Sequence, residues 1–171
     1  MPKIFERIKN ILVGEKTEIV KILEKVPIFE GLNLLELKKI EIITHERDYM
    51  DKEVIFHEKE PGAGMYIIKS GSIKLSKKAD NKEIFLMSLT AGDFFGEIAL
   101  LDESPRSATA ASEGRTKLLG FYRPDFLDLL KREPKLGSKV LLKLAQMIAT
   151  RLRNTTDSRI KGTPDGNEAK Y

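Results

Sequence analysis

The chain has 171 residues, 41% of them hydrophobic, which is enough for one domain with a substantial core and too little for two. Its 30 Lys and Arg residues are interspersed with 26 Asp and Glu residues, so the net charge of +4 is weak evidence for a nucleic-acid partner. The lack of cysteine excludes disulfides and cysteine-bound iron–sulfur clusters. The sequence has no signal peptide and no apolar run of about 20 residues, which predicts a cytoplasmic protein without a membrane span.

The first 25 residues have the apolar spacing of two short amphipathic helices, with a break around Gly14. We interpret residues 1–25 as a helical extension that precedes the main domain. A turn-rich joint follows, after which Asn33 is expected to cap a helix while Glu36 reaches back to its first turn. This helix is expected to end near His45.

From about residue 50 the apolar residues tend to recur at every second position, which indicates short strands separated by Gly, Pro, Asn or Asp. Asp80-Asn81 marks a hairpin between two of them. This spacing predicts a fold of the α+β class, mainly β: an antiparallel jelly-roll barrel flanked by N- and C-terminal helices. The predicted strands cover residues 54–56, 65–69, 72–77, 83–89, 108–112 and 117–122.

One short segment combines a glycine, a carboxylate and an arginine. Gly96 permits a positive φ, and the following residues, 98–101, can form one helical turn whose unpaired N–H groups attract phosphate. Arg106 adds a planar charged fork for phosphate oxygens, and Ser107 adds a hydroxyl. An ionised Glu97 only accepts hydrogen bonds, so its natural partner beside an anion is a ribose hydroxyl. The segment therefore predicts a sugar-phosphate pocket.

The surroundings of Arg106 are expected to be open. The residue follows a turn that contains Asp102, Glu103 and Pro105, so we expect an exposed arginine that the two nearby acids partly neutralise in the empty protein. The only histidines, His45 and His57, have no second histidine at metal-ligand spacing. A metalloenzyme on a similar barrel is therefore disfavoured, and the sequence predicts no metal site, no catalytic residues and no enzyme.

Helices return near the C-terminus. Pro124 is expected at the first position of a helix that reaches about Lys131, and Pro134 opens a longer one that reaches about Asn154. The longer helix has an apolar stripe that either packs on the barrel or forms a dimer seam. Residues 157–171 are polar and predict a flexible tail, too short for a helix-turn-helix domain. The stripe consists of Leu141, Leu144, Ile148 and Leu152.

The motifs resemble those of the cyclic nucleotide-binding domain family. The resemblance rests on Phe95-Gly96-Glu97-Ile98-Ala99-Leu100 followed by Pro105-Arg106-Ser107-Ala108-Thr109, on the glycine-containing segment 60–75 and on Ala91-Gly92-Asp93. It extends over about residues 25–155, so we assign residues 26–156 to this domain. One departure is Ala63, where the family usually has Asp.

The resemblance implies a role for each cassette residue. Glu97 would take the ribose 2′-hydroxyl and Arg106 the cyclic phosphate, assisted by Ser107 and by the backbone at Gly96 and Ala99. Ile98 and Ala108 complete the predicted binding set within the cassette. Thr155 lies where related proteins present a hydroxyl to the purine base.

The resemblance also implies a function: a sensor module that needs no cofactor, binds cAMP or cGMP, and signals to an output protein through its C-terminal helices. Ser107 resembles the cAMP-preferring bacterial members. One alternative is a degenerate family member that acts as a protein-interaction domain, and the intact Glu97 and Arg106 disfavour it. The other is a DNA-binding regulator, and the lack of a helix-turn-helix segment disfavours it. A homodimer through the C-terminal helix is the alternative to packing of that helix on the barrel.

Overall fold

The computed structural model describes residues 15–80 and 82–161, and within it the side chains up to residue 153. The first predicted N-terminal helix, Asn81 and residues 162–171 of the predicted tail lie outside this description. No helix within the described residues is long and apolar enough to cross a lipid bilayer.

Two short helices precede the sheet. Helix α1 spans Glu18–Leu23, and the Thr17 hydroxyl caps it by accepting a hydrogen bond from Val20 N. Helix α2 spans Leu34–Ile42, and Asn33 and Glu36 bond reciprocally at its N-terminus, which confirms the predicted capping box. A 3-10 turn, Pro27–Phe29, joins the two helices.

The strands form one antiparallel sheet that rolls up around two apolar clusters, which confirms the predicted jelly-roll class. The sheet order is β1-β6-β3-β4, with β2 paired to β6 and β5 paired to β3. The pairing of β3 with β4 closes at Ala79 and Lys82, as the predicted hairpin requires. The strands are β1 Thr44–Tyr49, β2 Val54–Phe56, β3 Gly64–Ala79, β4 Lys82–Thr90, β5 Phe94–Phe95 and β6 Thr109–Tyr122.

Two pairs of predicted strands, 65–69 with 72–77 and 108–112 with 117–122, are each a single continuous strand, and two other strands were missed. β3 and β6 each continue through a glycine, because Gly71 and Gly114 take positive φ values of 87° and 76° and bend the chain without ending the strand. His45 lies in β1 rather than at a helix end, and the charged residues that follow it hide the alternation that would indicate a strand. The two-residue β5 is too short to give a pattern.

The C-terminal helices pack in the same apolar cluster as the N-terminal helices. Helix α3 spans Arg123–Arg132 and α4 spans Pro134–Lys161, so α4 continues beyond the predicted end near Asn154. The predicted apolar stripe of α4 is not a single surface. Leu144 is fully buried in the domain core, while Leu141 and Leu152 are exposed. The buried face of α4 consists of Leu136, Val140 and Leu144.

Candidate functional site

A cleft of about 570 Å³ opens between the cassette, the β3–β4 hairpin and α4. Its floor is formed by the cassette, and one wall is apolar, made by Leu75, Met87 and Leu89. Ala108 is half-buried and does not line the cleft, and the side chain of Thr155 lies outside the described residues. Six of the eight predicted site residues line the cleft: Gly96, Glu97, Ile98, Ala99, Arg106 and Ser107.

Gly96 begins the cassette turn. Its φ of 75° is in the left-handed region, and it precedes a 3-10 turn, Glu97–Leu100, one residue earlier than the predicted helical turn. A Cβ at this position would lie 2.5 Å from Arg106 Nη1. Glycine is therefore favoured both by the backbone conformation and by the approach of the arginine.

Arg106 is buried, with 8% of its surface exposed, so the expectation of an exposed arginine is wrong. Its Nη2 donates to Gly64 O at 2.8 Å, its Nη1 donates to Gly96 O at 3.1 Å, and its guanidinium carbon lies 4.0 Å from the centroid of the Phe56 ring. Nε is buried without a hydrogen-bond partner in the described part of the chain. The fork is thus held in place by two of its five N–H donors, and the buried Nε is not one of them.

The backbone explains this burial. Arg106 N donates to Glu60 O and Lys59 N donates to Arg106 O, both at 2.8 Å, and Pro105 forms a bridge with Pro61. These contacts hold the turn against the barrel instead of letting it extend into solvent. Sequence proximity alone does not reveal such a pairing, because the partner segment lies far away along the chain.

The electrostatic surroundings of Arg106 also differ from the prediction. Burial lowers the pKa of the Arg106 guanidinium below its ordinary value, while Tyr66, Glu60 and Glu97 act to raise the pKa. Asp102 accepts hydrogen bonds from Ser104, and Glu103 pairs with Arg123 at 2.6 Å, so the expected neutralisation of Arg106 by these two acids is wrong. An arginine keeps its charge in proteins, so a desolvated cation lies at the floor of the cleft.

Glu97 is 5% exposed, and its Oε1 accepts a hydrogen bond from Nη1 of Arg151 on α4. The Arg151 guanidinium carbon also lies 5.2 Å from the centroid of the Phe94 ring, at a cation–π distance. The cleft therefore joins a carboxylate, two guanidinium groups, the backbone of a 3-10 turn and an apolar wall. Such a set can hold an anionic ligand that also has a hydroxyl and an apolar ring.

Comparison with known proteins identifies this arrangement. Residues 46–133 match the family model of the cyclic nucleotide-binding domain. The chain belongs to this family. Its antiparallel sheet with flanking helices agrees with the fold of solved domains of this family.

Two solved structures and one sequence relative illustrate the similarity. The Cyclic AMP receptor protein of Thermus thermophilus is 34% identical over 128 residues, which cover 74% of this chain and 57% of the relative. A cyclic nucleotide-binding domain from Methylobacillus flagellatus superposes with a TM-score of 0.74 at 27% identity, covering 87% of this chain and 84% of that one. The regulatory domain of Toxoplasma gondii PKA, solved with cAMP, gives a TM-score of 0.62 at 28% identity, covering 67% and 46%.

Sequence reasoning missed several residues of this cyclic nucleotide-binding domain that line or flank the cleft. Arg151 lies four residues before Thr155 in the sequence of α4, about one helical turn away, and this spacing is the signal that could have found Arg151. The apolar wall has no comparable signal, because Leu75, Met87 and Leu89 lie in strands whose apolar residues do not distinguish a cleft from a core.

Proposed function

We propose that this chain is a sensor module that binds a cyclic purine nucleotide, with cAMP preferred to cGMP, in the cleft between the cassette and α4. The observation that carries this proposal is the placement of Glu97 and Arg106, both more than nine-tenths buried, on the same cleft. Charged side chains are rarely so buried without a structural or binding role.

The phosphate is assigned to Arg106. Its unused buried Nε and its charge favour an anion, and Ser107 and the backbone at Gly96 and Ala99 line the same part of the cleft. Glu97 accepts a hydrogen bond from the ribose 2′-hydroxyl. A carboxylate next to a phosphate is unfavourable unless it faces a donor, and the hydroxyl of a ribose supplies one.

The purine is assigned to the apolar wall. Leu75 and Leu89 are half-buried and Met87 is 51% exposed, so a stacked base would remove apolar surface from water. Thr155 is assigned to the exocyclic groups of the base. The preference for cAMP is supported by the relatives, among them the Cyclic AMP receptor protein and the kinase regulatory domain solved with cAMP.

The output is assigned to α4. Arg151 joins this helix to the cassette, so a ligand that changes the cassette also changes the contacts of α4. Ligand binding shifts the helix only through a difference in affinity between two states, and an output protein reads that shift.

The exposed Leu141, Leu142 and Leu152 give α4 an apolar surface for a second copy of the chain, and sedimentation velocity with and without cAMP tests that dimer.

Calorimetric titration of the full chain with cAMP, cGMP and acyclic 5′-AMP tests the proposed function. We expect cAMP to bind more tightly than cGMP. We expect 5′-AMP to bind most weakly, because its phosphate carries two negative charges and the buried guanidinium of Arg106 carries only one positive charge. A parallel titration with duplex DNA at two salt concentrations tests the DNA-binding alternative. If neither cyclic nucleotide bound, the protein-interaction alternative would replace the proposal.

A further inference from the structure

The guanidinium group of Arg106 is stacked on an aromatic ring. Its carbon lies 4.0 Å from the centroid of the Phe56 ring, well within the range of a cation–π contact. Phe56 is the last residue of β2 and is half-buried, and it does not line the cleft. Arg106 does line the cleft, so it provides a route by which the Phe56 side chain can act on a ligand.

Neighbouring strands hold the Phe56 ring in place. Its centroid lies 6.1 Å from that of Tyr66 in β3 and 5.8 Å from that of Phe95 in β5. Tyr66 and Phe95 are partners in the sheet, and their rings stack at 5.5 Å. The surface on which the guanidinium rests is therefore built by three strands, one of which ends directly before Gly96.

The chain around Phe56 also holds the main chain of Arg106. Lys59 N donates to Arg106 O, and Arg106 N donates to Glu60 O. Phe56 itself is paired with Ala110, four residues after Arg106. The segment that begins with Phe56 thus fixes both the backbone and the guanidinium of the arginine.

The stack suits a buried cation that has to bind an anion. A guanidinium group donates hydrogen bonds only in its plane, and the oxygens of Gly64 and Gly96 occupy two of its donors. The negative face of an aromatic ring attracts a cation without using an N–H group. Stacking on Phe56 therefore stabilises the desolvated charge and leaves the remaining in-plane donors of Arg106 for a ligand.

We propose that Phe56 is a positioning residue, which holds the Arg106 guanidinium stacked at the floor of the cleft with its remaining donors directed to the cyclic phosphate. This inference rests on the proposed function of the cleft. It makes recognition of the phosphate depend on β2, an element outside the cassette, whereas Glu97 recognises the sugar without Phe56.

The test is calorimetric titration of the full chain with cAMP and with 2′-deoxy-cAMP, in the wild type and in Phe56→Leu, Phe56→Tyr and Phe85→Leu. Leucine is apolar but has no ring face, whereas tyrosine keeps the face. Phe85→Leu is the matched control, because Phe85 is 57% exposed in β4. Thermal unfolding checks that each variant is folded at the temperature of the titration.

We expect Phe56→Leu to weaken the binding of both ligands by about threefold or more, because a cation–π contact is lost at the phosphate that they share. The penalty for removal of the 2′-hydroxyl should stay as in the wild type. Phe56→Tyr and Phe85→Leu should both bind like the wild type.

The Nε–H signal of Arg106 in ¹H–¹⁵N spectra of the empty protein reports the stack directly, since an aromatic ring shifts protons above its face upfield. Its loss in Arg106→Lys assigns the signal. The signal should move downfield in Phe56→Leu and remain near its wild-type position in Phe56→Tyr. A general loss of core packing would not give this pattern.

A loss of affinity smaller than about threefold in Phe56→Leu, or a gain, would overturn the inference. It would also be overturned by a loss that Phe56→Tyr shares, by a loss confined to one of the two ligands, or by an Nε–H signal that Phe56→Leu leaves in place. If the wild type bound no cyclic nucleotide, the proposed function itself would fall, and that result is distinct from nucleotide binding that Phe56→Leu leaves unchanged.

Discussion

Arg106 Nη2 donates a 2.8 Å hydrogen bond to the main-chain oxygen of Gly64, 42 residues earlier in the chain. With its second bond to Gly96 O, the guanidinium joins the start of β3, the cassette and its own turn. Arg106 is therefore a structural residue as well as the proposed phosphate ligand. A bound phosphate has to use the remaining donors of the fork or replace one of these carbonyl contacts.

Arg106→Ala should reduce stability as well as affinity. The buried Gly64 O loses the arginine as a donor, and the part-buried Gly96 O loses one of its two donors, at a cost of about 1–3 kcal/mol in the free energy of unfolding. Affinity for cAMP should fall more than about tenfold, because the charge-assisted contact with phosphate is lost. Urea unfolding and calorimetry measure the two effects. Arg132→Ala is the control, since Arg132 has 79% of its side-chain surface exposed and should change neither quantity; a stable Arg106→Ala protein would contradict the structural role.

Gly96→Ala should be more destabilising than Gly92→Ala. Both glycines have positive φ, 75° and 96°, so both substitutions introduce the same kind of backbone strain, about 1–2 kcal/mol. Only at Gly96 would the new Cβ meet Arg106 Nη1, at 2.5 Å, whereas nothing lies within 4 Å at Gly92. Urea unfolding gives the loss in the free energy of unfolding for each variant, and the difference between the two losses is the cost of the contact with Arg106. Equal losses would show that the arginine moves aside without cost.

The cassette could be predicted from sequence because Gly96, Glu97 and Arg106 lie in one segment whose residue types each serve one part of a sugar phosphate. The burial of Arg106 could not, since it depends on pairing with the turn before β3. The contact of Glu97 with Arg151 could not be predicted either, because it depends on how α4 docks on the barrel. Local pattern thus indicates the ligand chemistry, and tertiary packing decides which charges are paired.

Glu97→Gln should weaken cAMP binding less than Arg106→Ala does, because the amide oxygen still accepts a hydrogen bond from the ribose. A neutral acceptor is weaker than a charged one, so the penalty for 2′-deoxy-cAMP should shrink relative to the wild type. Calorimetric titration with both ligands gives the two penalties. The same penalty in both proteins would show that Glu97 does not contact the sugar.

Leu144→Ala should destabilise the domain while Leu142→Ala should not. Leu144 is fully buried in the core cluster beneath α4, so its truncation should cost about 2–4 kcal/mol in the free energy of unfolding. Leu142, two residues earlier on the same helix, is 60% exposed and serves as the matched control. Chemical denaturation of both variants is the measurement, and a Leu144→Ala protein as stable as the control would mean that α4 is not part of the core.

Addition of cAMP should slow amide exchange in α4, with the effect concentrated in its second half. The first half is already anchored by Leu136, Val140 and Leu144, so its opening should change little. Residues 145–153 have mainly exposed or half-buried side chains, and Arg151 is their described contact with the cassette. A ligand that engages Glu97 and the apolar wall adds contacts there, which must break before the helix can open.

Hydrogen exchange with mass spectrometry measures this effect in the full chain, with and without cAMP. The paired strands β3 and β6 provide the internal control, because exchange there reports global unfolding and should slow only by the overall stabilisation that ligand gives. Protection of residues 145–153 beyond that of the sheet would support α4 as the output element. Equal protection of helix and sheet would mean that the helix plays no specific part in holding the nucleotide, and the route from ligand to output would then have to start from α3.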